Sequence, residues 1–138
     1  MAARHSSLLV PRAWHALAAQ GGSVGNPVVY FEIGCRDPVA TSSFYRGLFD
    51  WQISTGDSSV IATDSDRGIE GHIASLGHEP HSYTIIYVEV ADLDEALGRA
   101  ESLGATRLVG PVPIPDGRFA WFADPEGNTI GLIEPAST

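Results

Sequence analysis

From Val28 to Ile33 the chain runs through β-branched and aromatic residues in a strand-like pattern, and Asp37 and Pro38 then supply a side-chain cap and a first-turn proline for a helix. Ala40, Phe44 and Leu48 follow at helical spacing, which predicts that they form its buried stripe. Beyond Trp51, three short β-type runs, 51–55, 58–63 and 68–76, are broken by Gly, Asp and Ser and predict a three-stranded meander. The order then recurs. Residues 83–90 form a second apolar strand, and Asp92 with Glu95 begins a second helix in the manner of a capping box. Leu93, Ala96, Leu97, Ala100 and Leu103 make one apolar stripe, and Gly104 ends the helix. Residues 107–114, 117–123 and 129–134 supply the closing strands. Pro111, Pro113 and Pro115 confine the first of them to an edge or loop, because proline cannot donate to a ladder.

The pattern therefore predicts an α+β fold of two βαβββ modules, about 28–77 and 82–135, within one domain spanning 28–136. Residues 1–27 differ from the rest. They carry Arg4, Arg12, His5 and His15 without an acidic residue and end in the loose run Gly21 to Pro27. His5-Ser6-Ser7 and Leu9-Val10-Pro11-Arg12 are similar to pieces of a tag with a protease site, so the segment reads as a non-functional extension. Deleting residues 1 to about 24 is expected to leave the thermal midpoint unchanged, and a fall well outside error would show that the segment docks on the domain.

Charge narrows the function. Eight Lys and Arg against 17 Asp and Glu give a net charge of −9, which removes the attraction on which nucleic-acid and anionic-membrane binding rest. No apolar run reaches the length of a membrane span, and the single Cys35 leaves no intrachain disulfide, so a reducing cytoplasm is the expected setting. There is no glycine-rich phosphate loop and no nucleophile elbow. His78 and His81 flank a proline between the modules and read as solvent-facing. Gly131 sits in mid-strand, where glycine contributes no packing and marks a close approach by something else.

The duplicated order, with DPxxxxxFYxxLF-type spacing over Asp37 to Phe49 and DPEGNxIGL over Asp124 to Leu132, resembles the vicinal oxygen chelate superfamily, which includes glyoxalase I, extradiol dioxygenases and the bleomycin and fosfomycin resistance proteins. The resemblance implies a curved mixed-sheet cup with a helix outside each module, a divalent metal held by the first and last strands of each module, and pairing as a homodimer. Carried over by counting from the helix ends, the first-strand ligands fall on Tyr30 and Ile85. The last-strand ligands fall on Glu70 or His72, which share a strand face, and on Gly131, whose missing carboxylate predicts an open floor.

Ile85 and Gly131 cannot coordinate through a side chain, and a neutral phenol at Tyr30 is a poor ligand. The expectation is therefore a protein without a cofactor that binds a small apolar molecule bearing a cationic or hydroxyl group, between walls that include Tyr30, Glu32, Tyr87, Glu89 and Trp121. The alternative is a lyase, isomerase or dioxygenase with Glu32 or His72 as general base, or with a divalent metal on a rearranged set of Glu32, Glu70 and His72. The face of Phe119 and Trp121 that looks into the cup is not legible from sequence. Trp51 and Cys35 read as core.

Overall fold

A computed structural model describes residues 25–55 and 59–137, so the expectation for residues 1–24 lies outside the described residues. Among the described residues the order is β1 (Val28–Gly34), α1 (Pro38–Phe49), β2 (Gln52–Ile53), β3 (Ser59–Ala62), β4 (Glu70–Ala74), β5 (Tyr83–Glu89), α2 (Leu93–Ser102), β6 (Thr106–Ile114), β7 (Gly117–Ala123) and β8 (Thr129–Pro135). The two βαβββ modules are present. All the strands lie in one mixed sheet of order β2-β3-β4-β1-β5-β8-β7-β6. Each module pairs its first strand in parallel with its last, β1 with β4 and β5 with β8, and the modules join where β1 meets β5 antiparallel.

The caps are those the sequence specifies. The Asp37 carboxylate accepts from Ala40 N–H at 3.0 Å, and the Asp92 carboxylate accepts from Glu95 N–H at the same distance. Gly104 follows the second helix at φ +108, a left-handed conformation open to glycine. The proline-bearing strand β6 lies at the sheet edge.

Two cores, one per module, lie between sheet and helices. Val90, Leu93, Leu97, Ala120 and Leu132 form one, and Cys35, Ile53, Ile61 and Ile73 the other, with Trp51 packed against the second beside Phe31 and Tyr45. The predicted stripe of α2 holds at Leu93 and Leu97, whereas Leu103, beyond the last turn, is exposed.

The first helix is turned differently from its predicted stripe. Phe44 is 59% and Leu48 58% exposed, and the face toward the sheet carries Ser42 and Tyr45. The reason is aromatic packing after the helix. Tyr45 stacks on Trp51 at a centroid distance of 5.5 Å, and that contact sets the rotation of a short helix whose apolar residues lie on more than one face.

Candidate functional site

The concave face of the sheet is built where the modules meet. Alternation along β1 points Tyr30 and Glu32 to this face, and the antiparallel register sets Tyr30 opposite Tyr87 and Glu32 opposite Ile85. The parallel registers bring His72 beside Glu32 and Gly131 beside Tyr87. Glu32 stands five residues before the cap Asp37, and Tyr87 five before the cap Asp92, so the two modules place Glu32 and His72, Tyr87 and Gly131 in matching positions. Tyr30 and Ile85, the positions carried over from the resemblance, stand seven residues before the same two caps and so match each other in the same way. Tyr30 pairs with Glu70 on one side and with Tyr87 across the module junction, where Glu32 pairs with His72 and Ile85.

Glu32 is the centre of this arrangement. It is 3% exposed, yet three neighbouring side chains place hydrogen-bond donors against it. Tyr87 donates to Oε1 at 2.7 Å, Tyr83 donates to Oε2 in a short hydrogen bond, and His72 Nε2 lies 3.3 Å from Oε1. Trp121 Nε1 in turn donates to the Tyr87 hydroxyl at 2.8 Å, and Tyr30 meets His72 Nδ1 at 2.8 Å. A buried carboxylate is tolerated when donors replace its lost water, and here they do so on both oxygens.

Burial alone would raise the Glu32 pKa, but the hydrogen bonds from His72, Tyr83 and Tyr87 outweigh it and hold the carboxyl below the usual glutamate value. The phenols respond in the opposite sense. Burial and the Glu32 charge push Tyr30 up to about 12 and raise Tyr83 and Tyr87 further.

Both shifts have stability consequences with definite signs. Because the Glu32 pKa is depressed on folding, its contribution is present above the ordinary value of 4.5 and is lost as pH falls through the lower folded value. Glu32→Gln is therefore expected to flatten the acid limb of a midpoint-against-pH curve, and an unchanged limb would show that the carboxylate is not stabilised as described. The raised tyrosines contribute stability below pH 10 that is lost as pH rises further. In an absorbance titration of phenolate, three of the four tyrosines should ionise late.

The floor at Gly131 is not open. A Cβ built there would overlap the Tyr87 ring, which lies across the glycine and carries its hydroxyl to Glu32. Gly34 is placed likewise under the Tyr83 ring. Two glycines thus give two tyrosine rings room to donate one hydroxyl to each oxygen of Glu32. Pairing Gly131 with a ring on the neighbouring strand needed the register, which no local motif encodes.

Above this floor lies a cavity of about 480 Å³, bordered by Tyr30, Glu32, His72 and Tyr87 and walled by Phe119 and Trp121, which settles the face those two present. Leu76, Ile114 and Ile133 complete an apolar wall, and Asp116 stands at the margin; none of these four was singled out from sequence. They come from separate strands and loops, so no local spacing marks them. Ile85 is 2% exposed, pairs with Glu32 across the β1–β5 junction and lies outside the cavity lining. Glu70 is also outside it, in a shallow polar groove with Thr63, Asp64 and Asp66 that is too open to enclose a ligand. Glu89 pairs with Ile133 and is not part of the lining. His78 is exposed, and His81 is partly buried with its Nε2 3.4 Å from Glu79.

The metal implied by the resemblance can be tested on the donors present. Of the positions carried over and their neighbours, Ile85 and Gly131 have no donor, and Tyr30 and Tyr87 are phenols kept protonated. Glu32 already accepts on both oxygens, and both nitrogens of His72 are engaged. No group of three or more His, Cys, Asp or Glu among the described residues is arranged to hold a metal ion. This donor set does not fit a divalent site.

The family model for the glyoxalase-like domain matches residues 29–133, which takes in both modules and every residue of the Glu32 network. The chain belongs to the glyoxalase-like family. It is thereby a member of the vicinal oxygen chelate superfamily, and the cup is that family's fold. Among its relatives, the anthracycline biosynthesis proteins DauV of Streptomyces sp. (strain C5) and DnrV of Streptomyces peucetius are each 26% identical over 123 residues, covering 75% of this chain and 45% of theirs. The chain spans about half the length of these relatives. Methylmalonyl-CoA epimerase from Mycobacterium tuberculosis superposes with a TM-score of 0.61 at 16% identity, covering 86% of this chain and 96% of that one. A variant of Streptomyces coelicolor methylmalonyl-CoA epimerase in complex with 2-nitronate-propionyl-CoA gives 0.58 at 17%, covering 81% and 99%. At such identities these structures share the fold with this glyoxalase-like chain. No helix among the described residues is long and apolar enough to cross a membrane.

Proposed function

We propose that this glyoxalase-like protein takes a small, flat, largely apolar molecule into its cup without a metal ion. The observation that carries the reading is the Tyr87 ring over Gly131. Protein atoms fill the position from which a metal-binding side chain would project, and protons from Tyr83, Tyr87 and His72 satisfy the carboxylate that a cation would otherwise neutralise. The cavity lies in the size range of small-molecule sites, and its walls are apolar and aromatic with a few polar groups gathered at the floor, the usual division between affinity and orientation. The polar floor is satisfied without a ligand, so its geometry is set before one binds. The relationship to DauV and DnrV, proteins of anthracycline biosynthesis, supports a polycyclic aromatic ligand class.

Trp121 reports on this directly because its indole borders the cavity and holds Tyr87. Titration with a planar anthraquinone is expected to quench its fluorescence, and the quenching should vanish in Trp121→Phe. A ligand at about 100 times its dissociation constant should add roughly 2.7 kcal/mol to stability. Zinc or nickel should leave the wild-type midpoint in place. A metal-dependent rise that disappears in His72→Ala and Glu32→Ala would replace this reading with a metal-dependent enzyme.

A further inference from the structure

Three polar side chains at the floor form a line from the cavity inward: Tyr30, then His72, then Glu32. The Tyr30 hydroxyl and His72 Nδ1 are 2.8 Å apart, and His72 Nε2 is 3.3 Å from Glu32 Oε1. All three border the cavity, and Tyr30 and His72 are only partly buried while Glu32 is buried. In a neutral imidazole one nitrogen carries the proton. Facing a carboxylate, that nitrogen is Nε2, which leaves Nδ1 to accept from the Tyr30 hydroxyl. The lone pairs of the Tyr30 oxygen remain available to a molecule in the cup.

Resting on the reading of the cup as a ligand pocket, we infer that Tyr30, His72 and Glu32 form a proton relay that removes an acidic C–H or O–H proton from the bound molecule. Tyr30 is the catalytic residue. As the substrate proton reaches the Tyr30 oxygen, the Tyr30 proton passes to His72 Nδ1, and the buried Glu32 carboxylate, a positioning residue, orients the imidazole and stabilises the imidazolium that forms. The two transfers are coupled, because a phenol held protonated up to about 12 does not wait as phenolate. The substrate class is a flat apolar molecule whose acidic hydrogen lies beside an aromatic ring or a carbonyl. The reaction class is proton transfer leading to isomerisation or elimination without a cofactor.

The probe is 5-nitrobenzisoxazole, a planar carbon acid. In its reaction the C3–H bond breaks and its electron pair forms the second π bond between carbon and nitrogen. The ring N–O bond breaks, its electron pair leaves on oxygen as a phenolate, and the imidazolium then returns its proton through Tyr30 to that phenolate or to water. Turnover by the full chain is expected to exceed that of free imidazole at equal concentration by about 10²- to 10⁴-fold, the usual range for a positioned acid–base group. It should also show a primary isotope effect with the C3-deuterated probe. Tyr30→Phe and His72→Gln should each lose that advantage. Glu32→Gln should lower kcat by about tenfold or more with KM little changed, a split that general loosening of the fold would not give. Wild-type turnover no faster than imidazole, or a Tyr30→Phe variant that keeps the wild-type rate, would overturn the relay. Equilibrium dialysis with unreactive 3-methyl-5-nitrobenzisoxazole separates the two levels. Retention without turnover sinks the relay and leaves the binding reading standing, whereas absence of both retention and turnover sinks the two together.

Discussion

Gly131→Glu is expected to destabilise the fold by about 3 kcal/mol or more, far beyond a loss of ligand affinity. Two effects add. Gly131 is buried between β5 and β7, so its new Cβ meets the Tyr87 ring, and the ring cannot move aside without giving up its hydrogen bonds to Glu32 and from Trp121. The second effect is a carboxylate placed next to the Glu32 carboxylate, where like charges oppose each other. Gly131→Ala carries the steric effect alone and should fall at about 1 to 3 kcal/mol. Tyr87→His combined with Gly131→Glu removes the overlap and sets an imidazole and a carboxylate beside Glu32 and His72. That double variant should gain thermal midpoint with zinc or nickel while the wild type does not. A Gly131→Glu protein as stable as wild type would show that Tyr87 is not held over the glycine. A double variant that folds and ignores metal would show that the four positions do not converge.

Leu97→Ala should lower stability by about 2 to 5 kcal/mol. Leu97 has 0% exposure and belongs to the cluster of Val90, Leu93, Ala120 and Leu132, where the helix packs on the sheet. The removed methyl groups leave a cavity among rigid neighbours, because Ala120 and Leu132 are fixed by the β7–β8 ladder and cannot close in. Chemical denaturation with a constant m value checks the figure. Phe44→Ala, at an exposed helix position that the spacing alone assigned to the core, provides the contrast and should fall within about 1 kcal/mol. A larger effect there, or a neutral Leu97→Ala, would mean that the helices turn their other faces to the sheet.

The sequence by itself determined the two modules, their element order, the starts of both helices and the end of the second. These are local matters: Asp37 and Asp92 cap because their own side chains reach backbone N–H groups three residues on, and Gly104 stops a helix through its own φ. Strand alternation likewise put Glu32 and His72 among the candidates before their neighbours were known. The tertiary structure decided everything that depends on register between distant strands. It set Glu32 beside His72 and Tyr87 beside Gly131, buried Ile85 opposite Glu32 and left Glu70 in a separate polar groove. It also turned the first helix so that Tyr45, rather than Phe44, meets Trp51. A shift of one alternate residue keeps every side chain on its face and leaves the hydrophobic pattern unchanged, so the pattern cannot choose among such registers. The choice is made by packing across strands, where one glycine leaves room for one tyrosine ring and that ring delivers its hydroxyl to a buried carboxylate.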